Sequence, residues 1–132
     1  MTLTFKQLVE DARSRIGTID PADAARAAEG GDLVLDVREP AELETDGRLP
    51  GALHVPRGLL ESRADPTAGP ALAALTAMRG AGRVHVLCAS GARAALAADT
   101  LVAMGYDATV IEGGIAAWAA AGLPVAGSPD GN

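Results

Sequence analysis

Apolar and polar positions along the chain alternate between two kinds of segment. Some are short, nearly continuous apolar runs. Others are longer stretches with apolar residues on one helical face. The stretch Met1 to Ile16 reads as an amphipathic helix with Lys6, Glu10, Asp11 and Arg13 among its polar positions. Thr4 followed three residues later by Gln7 is a capping-box signature, so the helix is predicted from Phe5 to about Arg15. Asp20-Pro21 predicts an N-cap with proline at the first helical position, and Gly30-Gly31 ends that helix. Leu33 to Val37 is a buried-strand run. A brief helix follows over Glu39 to Glu44, then a short strand from Leu53 to Val55 closed by Pro56. Ala71 to Met78 reads as a helix ahead of Gly80. Arg83 to Leu87 is a strand that runs directly into Cys88. Ala92 to Met104 is a helix with Gly105 as its C-terminal cap, Ala108 to Ile111 a strand, and Ile115 to Ala121 a helix stopped by Gly122. Strand–helix alternation with short loops predicts a parallel sheet flanked by helices, with the reactive site at the carboxyl ends of the strands.

Composition narrows this reading. The 132 residues fit one domain, and 48% apolar with 21% charged residues is an ordinary globular balance. Aromatics make up only 2% (Phe5, Tyr106, Trp118), so Ala, Leu, Val and Ile must fill the core. The net charge of −6, with no basic stretch, argues against duplex nucleic acid or anionic membrane as partners. An anionic substrate would have to be drawn by a local feature. No run of about 18 apolar residues and no signal-peptide pattern occurs, and a lone cysteine cannot form an internal disulfide. Together these point to a reducing, cytoplasmic setting. The domain is expected over residues 1–126, with 127–132 as a disordered tail.

The chemistry concentrates at Cys88. A buried strand ends there, the small residues Ala89, Ser90, Gly91 and Ala92 follow, and Arg93 stands in the first turn of a helix. Such a loop can curl so that successive N–H groups aim at one point, making an anion cradle. The helix adds its positive end and Arg93 a fixed charge. A thiol held there ionises more readily than a free one, and the thiolate is the nucleophile. A lone cysteine is more often a small buried hydrophobe, but a core cysteine needs neither the loop nor the arginine.

Four segments then resemble the rhodanese family, over about Thr18 to Val125. Leu33 to Glu42 resembles its strand and acidic-basic "DVRE" stretch, and Gly47 to Pro56 its "GHIPGA…P" segment. Cys88 to Arg93 resembles its active loop, and Glu112 to Trp118 its closing "GG…W" segment. The resemblance implies a three-layer α/β/α fold with a central parallel sheet of about five strands. It implies a sulfurtransferase in which Cys88 takes a sulfane sulfur from thiosulfate or a persulfide donor and passes it to a thiol or cyanide. Cys88 and Arg93 would be catalytic, the N–H groups of Ala89 to Arg93 would hold the persulfide, and no metal or organic cofactor is implied. Related dual-specificity phosphatases place five residues between cysteine and arginine. Here there are four, a ring that suits a sulfur atom better than a phosphoryl group.

Other residues carry expectations of their own. Arg57 could reach the pocket and attract an anion. Arg38, beside Asp36 at a strand end, either orients substrate or pairs with Asp36 to brace neighbouring loops. Arg48 stands where the family often has His and is expected to pair with Glu42 as structural support. Ala94 replaces a serine common in relatives. His54 and His85 lack metal-ligand spacing. Besides the enzyme, a sulfur-carrier or regulatory module serving one dedicated protein partner remains open, as does phosphatase-like chemistry.

Overall fold

A computed structural model describes residues 2–127. The tail expected over 127–132 lies outside the described residues apart from Gly127.

The first helix, α1 (Phe5–Arg13), opens with the capping box: Thr4 Oγ1 accepts from the Gln7 N–H and the Gln7 side chain accepts from the Thr4 N–H. A two-residue strand β1 (Thr18–Ile19) leads to α2 (Pro21–Glu29), capped by Asp20. Then come β2 (Leu33–Asp36), α3 (Pro40–Asp46) and β3 (Leu53–His54). A 3-10 turn over Arg57–Leu59 continues into α4 (Leu60–Ala64), and α5 (Ala73–Thr76) follows. The chain ends with β4 (Arg83–Leu87), α6 (Ala92–Ala103), β5 (Asp107–Ile111) and α7 (Gly114–Ala120).

The five strands form one parallel sheet in the order β1-β5-β4-β2-β3. β4 and β5 are buried along all but their first residues, His85 and Thr109 included, because both faces of the parallel sheet are covered. Alternate residues of each strand serve opposite faces. Leu35, Val84, Val86, Ala108 and Val110 join the larger core with Ala12, Leu60, Leu75 and α6. Val34, Leu87 and Ile111 join Ala24 and Trp118 on the other side. The three-layer α/β/α architecture therefore follows from strand period two. Alanine does the work that aromatics usually do. Ala94, Ala95, Ala97 and Ala98 are buried on α6, which lets this helix sit close to both the sheet and α1. The few large rings are satisfied: Tyr106 donates to the Ala64 carbonyl at 2.7 Å, and Trp118 Nε1 to the Pro124 carbonyl at 3.0 Å.

Two departures have local causes. The helix expected from Ala71 to Met78 shrinks to Ala73–Thr76, because Leu72 is extended and beyond Ala77 the Met78 and Arg79 N–H groups bond three residues back. The unexpected helix after Pro56 begins with a glycine-containing 3-10 turn and no side-chain cap, so it leaves little trace in the sequence. Among the described residues no helix is long and apolar enough to cross a membrane.

Candidate active site

Cys88 follows the last residue of β4 at the carboxyl edge of the sheet, where parallel α/β folds place their reactive groups. Its side chain is almost fully buried, at 1% exposure. Sγ accepts from the Gly91 N–H at 3.0 Å and from the Ala94 N–H at 3.4 Å. The loop thus closes on the sulfur. Gly91 is the N-cap of α6, with φ +114° and no side chain to satisfy the first-turn donors. Those donors and the positive end of the helix are left to whatever sits on the sulfur. Ala89 and Ala92 are half-buried and Ser90 is exposed, so the small side chains keep the mouth of the loop clear.

The loop is held from behind by the turn before α7. Gly114 has φ +62°, and a β-carbon there would lie 2.2 Å from the Ala89 carbonyl oxygen and 2.5 Å from that of Cys88. The Ile115 N–H donates to the Cys88 carbonyl at 3.0 Å. Gly113-Gly114 is therefore more than a chain reversal: it is the surface on which the Cys88 loop rests.

Arg93 does not aim into the loop. Its Nη1 and Nη2 donate to Glu42 Oε1 and Oε2 at 2.5 and 2.8 Å. Arg93 pulls the Glu42 carboxyl down to about 2, overcoming its partial burial, and Glu42 in turn raises Arg93. Glu42 also accepts from the Glu39 N–H at 2.9 Å, which ties the start of α3 to the first turn of α6. This corrects the expected pairing of Glu42 with Arg48. The backbone of Arg48 bridges to Ala126, with N–O distances of 2.7 and 2.8 Å, and its side chain is exposed.

Of the two expectations for Arg38, the geometry fits the brace and not substrate contact: it has no exposure and makes an ion pair with Asp36, Nη2 to Oδ2 at 2.8 Å. Nε reaches both Asp36 oxygens at 3.1 and 3.2 Å, and Nη2 also donates to the Gly47 carbonyl at 2.9 Å. The pair braces the β2 end against the loop after α3. Arg57, expected to face the pocket, instead donates to Glu61 at 3.1 Å and to Thr100 Oγ1 at 3.2 Å. Thr100 stands two turns into α6, about 12 Å along the axis from its start.

One cation at the loop has no counterpart among the expected site residues. Arg13, in the last turn of α1, lies over Gly91: a β-carbon on that glycine would meet Arg13 Nη2 at 2.7 Å. The sequence shows Arg13 only as one polar position of an amphipathic helix.

Comparison with known proteins agrees with this geometry. The model of the rhodanese-like domain family matches residues 20–121. A Mycobacterium tuberculosis protein named "Putative thiosulfate sulfurtransferase SseB" is 35% identical over 107 residues, covering 72% of this chain and 38% of that protein. The chain therefore spans well under half of that relative's length. A protein from Allochromatium vinosum named "Sulfurtransferase" is 34% identical over 100 residues, covering 75% of this chain and 81% of its own. Among solved structures, a protein of unknown function from Rhodopseudomonas palustris, described as a "Possible Tyrosine Phosphatase", superposes with a TM-score of 0.85. It is 36% identical and covers 95% of this chain and 96% of its own.

Proposed function

The chain belongs to the rhodanese family, and from that premise we propose that Cys88 carries a sulfane sulfur, as a persulfide, from thiosulfate or a persulfide donor to a thiol or cyanide acceptor. The observation that carries this reading is the pair of N–H groups, from Gly91 and Ala94, converging on Cys88 Sγ at the uncapped N-terminus of α6. Donors placed there stabilise the thiolate that attacks and the terminal sulfur anion that results.

The steps balance without an added oxidant. The Cys88 thiolate attacks the outer sulfur of thiosulfate. A sulfur–sulfur bond forms as the one within thiosulfate breaks, and sulfite departs with the electron pair. The acceptor, as a thiolate or cyanide, then attacks the terminal sulfur and returns Cys88 as thiolate. The burial of Cys88 restricts access to a slender group entering along the loop. Ala89, Ser90, Gly91 and Ala92 supply the walls and N–H groups. Arg93 positions the loop through Glu42. A reducing, cytoplasmic setting belongs to the same proposal, since Cys88 must cycle as a free thiol.

The description of the Rhodopseudomonas palustris protein raises phosphoryl chemistry as a second reading. The geometry disfavours it here. Phosphoryl transfer on such a loop calls on the arginine of the loop itself for bidentate contact, and Arg93 is committed to Glu42.

The test is intact mass after incubation with thiosulfate, or with a low-molecular-weight persulfide, followed by cyanide or a small thiol. Gain of one sulfur that the acceptor then removes supports the enzyme. A gain that only a protein acceptor can discharge supports the dedicated carrier. No gain from any donor, with hydrolysis of an aryl phosphate, would overturn the proposal.

A further inference from the structure

We infer that Arg13 is the residue that recognises the negative charge of the sulfur donor, an anion-selecting cation supplied to the Cys88 loop by a helix outside the family-matched segment. This rests on the reading of Cys88 as the sulfur carrier.

Position comes first. Arg13 lies at the end of α1, and α1 is fixed on α6 at both sides of that residue. Ala12 is buried in the core, and Arg15 Nε and Nη2 donate to Asp99 at 3.0 and 2.7 Å. The Arg13 guanidinium is thereby held over Gly91, which is buried although it belongs to a loop. Gly91 in turn donates to Cys88 Sγ at 3.0 Å. Standard bond lengths then put Arg13 Nη2 within about 9 Å of the sulfur at most. An oxyanion whose sulfur approaches Cys88 extends into that interval. The φ of +114° at Gly91 suits no other residue well, and a β-carbon there would push the tip of the Arg13 side chain aside.

Charge is the second point. Cations near the loop are mostly spent. Arg93 is matched by Glu42, Arg15 by Asp11 and Asp99, and Arg57 by Glu61. Among the described residues Arg13 takes part in no ion pair, and it is neither a donor in a side-chain hydrogen bond nor remote from the thiol. With a net charge of −6 the protein's overall field repels anions. An unmatched guanidinium over Gly91 opposes that field locally, and its planar fork of N–H groups suits a sulfonate-like oxygen pair.

The alternative is a purely structural cation, favourably placed at the C-terminus of α1. Alkylation of Cys88 separates the two, and needs no sulfur transfer. Rates with anionic iodoacetate and neutral iodoacetamide are compared for wild type, Arg13→Gln, Arg13→Lys and, as a control for overall charge, Arg26→Gln on α2, whose exposed side chain pairs only with Asp23. The iodoacetate-to-iodoacetamide ratio should fall about three- to ten-fold in Arg13→Gln, the range of one partly screened charge contact, and recover in Arg13→Lys. Arg26→Gln should leave it within about two-fold. The iodoacetamide rate reports any general loosening of the loop. With thiosulfate as donor, KM should rise in Arg13→Gln while kcat holds. An unchanged ratio in Arg13→Gln overturns the inference even if the enzyme transfers sulfur. A reduced ratio upholds it even if thiosulfate proves not to be the donor.

Discussion

Arg93 at the start of α6 and Glu42 in α3 are joined by two parallel hydrogen bonds of 2.5 and 2.8 Å, so the arginine that follows the Cys88 loop is turned outward into a brace. It makes no hydrogen bond to the sulfur, and acts on it through space and through the backbone it holds. It fixes the first turn of α6, whose N–H groups face Cys88.

The brace has a predictable pH signature. In the folded protein Arg93 holds the Glu42 carboxyl at about 2, against an ordinary 4.5. A depressed carboxyl stabilises the fold fully above its ordinary value and loses that contribution as pH falls through the folded one. Glu42→Gln should therefore cost about 1 kcal/mol near neutral pH, since the pair is partly solvated. The difference from wild type should shrink between about pH 4.5 and pH 2. Urea unfolding of both proteins across that range checks it, and a difference that does not vary with pH would remove the pair from the account. Sulfur transfer by this variant should slow several-fold as the loop loses its tie.

Cys88→Ser should abolish sulfur uptake yet keep the fold. The hydroxyl can accept from the same Gly91 and Ala94 N–H groups, so a stability change of no more than about 1 kcal/mol is expected. Mass after thiosulfate treatment and a denaturation curve decide. Sulfur found on the serine variant would place the carrier elsewhere.

Gly114→Ala and Gly122→Ala make a controlled pair. Both glycines have φ in the left-handed region, +62° and +77°. Around Gly122 nothing lies within 4 Å of the added carbon, whereas at Gly114 the carbon would collide with the Ala89 and Cys88 backbones. Gly122→Ala should cost about 1 kcal/mol, the strain of the backbone alone. Gly114→Ala should cost about 2–4 kcal/mol and lower the transfer rate as well, because the loop must shift. Equal costs for the two would mean that the loop does not rest on Gly114.

Much of this was legible in the sequence because it is local. The central strands, the helix caps at Thr4 and Asp20, and the Cys88 loop each announce themselves within a few residues. Four of the five strands, with helices on both faces, follow from the apolar runs and their alternation with helical segments, and the count of about five comes from the family resemblance. Hidden from the sequence are the partners of Arg93 and Arg57, whereas the bracing pair of Arg38 with Asp36 is one of the two readings it offers. Glu42 and Arg93 are 51 residues apart, and Arg48 lies only six from Glu42. Arg57 looks like a substrate ligand by position but turns along α6. Arg13 sits in a helix with a plain amphipathic pattern, and only the packing of α1 on α6 brings it to Gly91. The strand β1 has two residues, too few for a period to show.

The buried pair of Asp36 and Arg38 offers the sharpest separation of bracing from substrate contact. Both side chains are sealed from water, and Arg38 Nη1 finds no partner among the described residues. Such a pair adds little net stability over an apolar replacement, yet breaking it strands a charge. Asp36→Asn should therefore cost about 3–5 kcal/mol. The double variant Asp36→Leu with Arg38→Met should recover a large part of that loss, because no ion is left buried. If Arg38 only braces, the double variant, where folded, should keep the wild-type KM for the sulfur donor. If Arg38 touches the donor, KM should rise several-fold even in the stable double variant. Denaturation midpoints and steady-state kinetics on the same three proteins distinguish these outcomes, and the full burial of Arg38 leads us to expect the first.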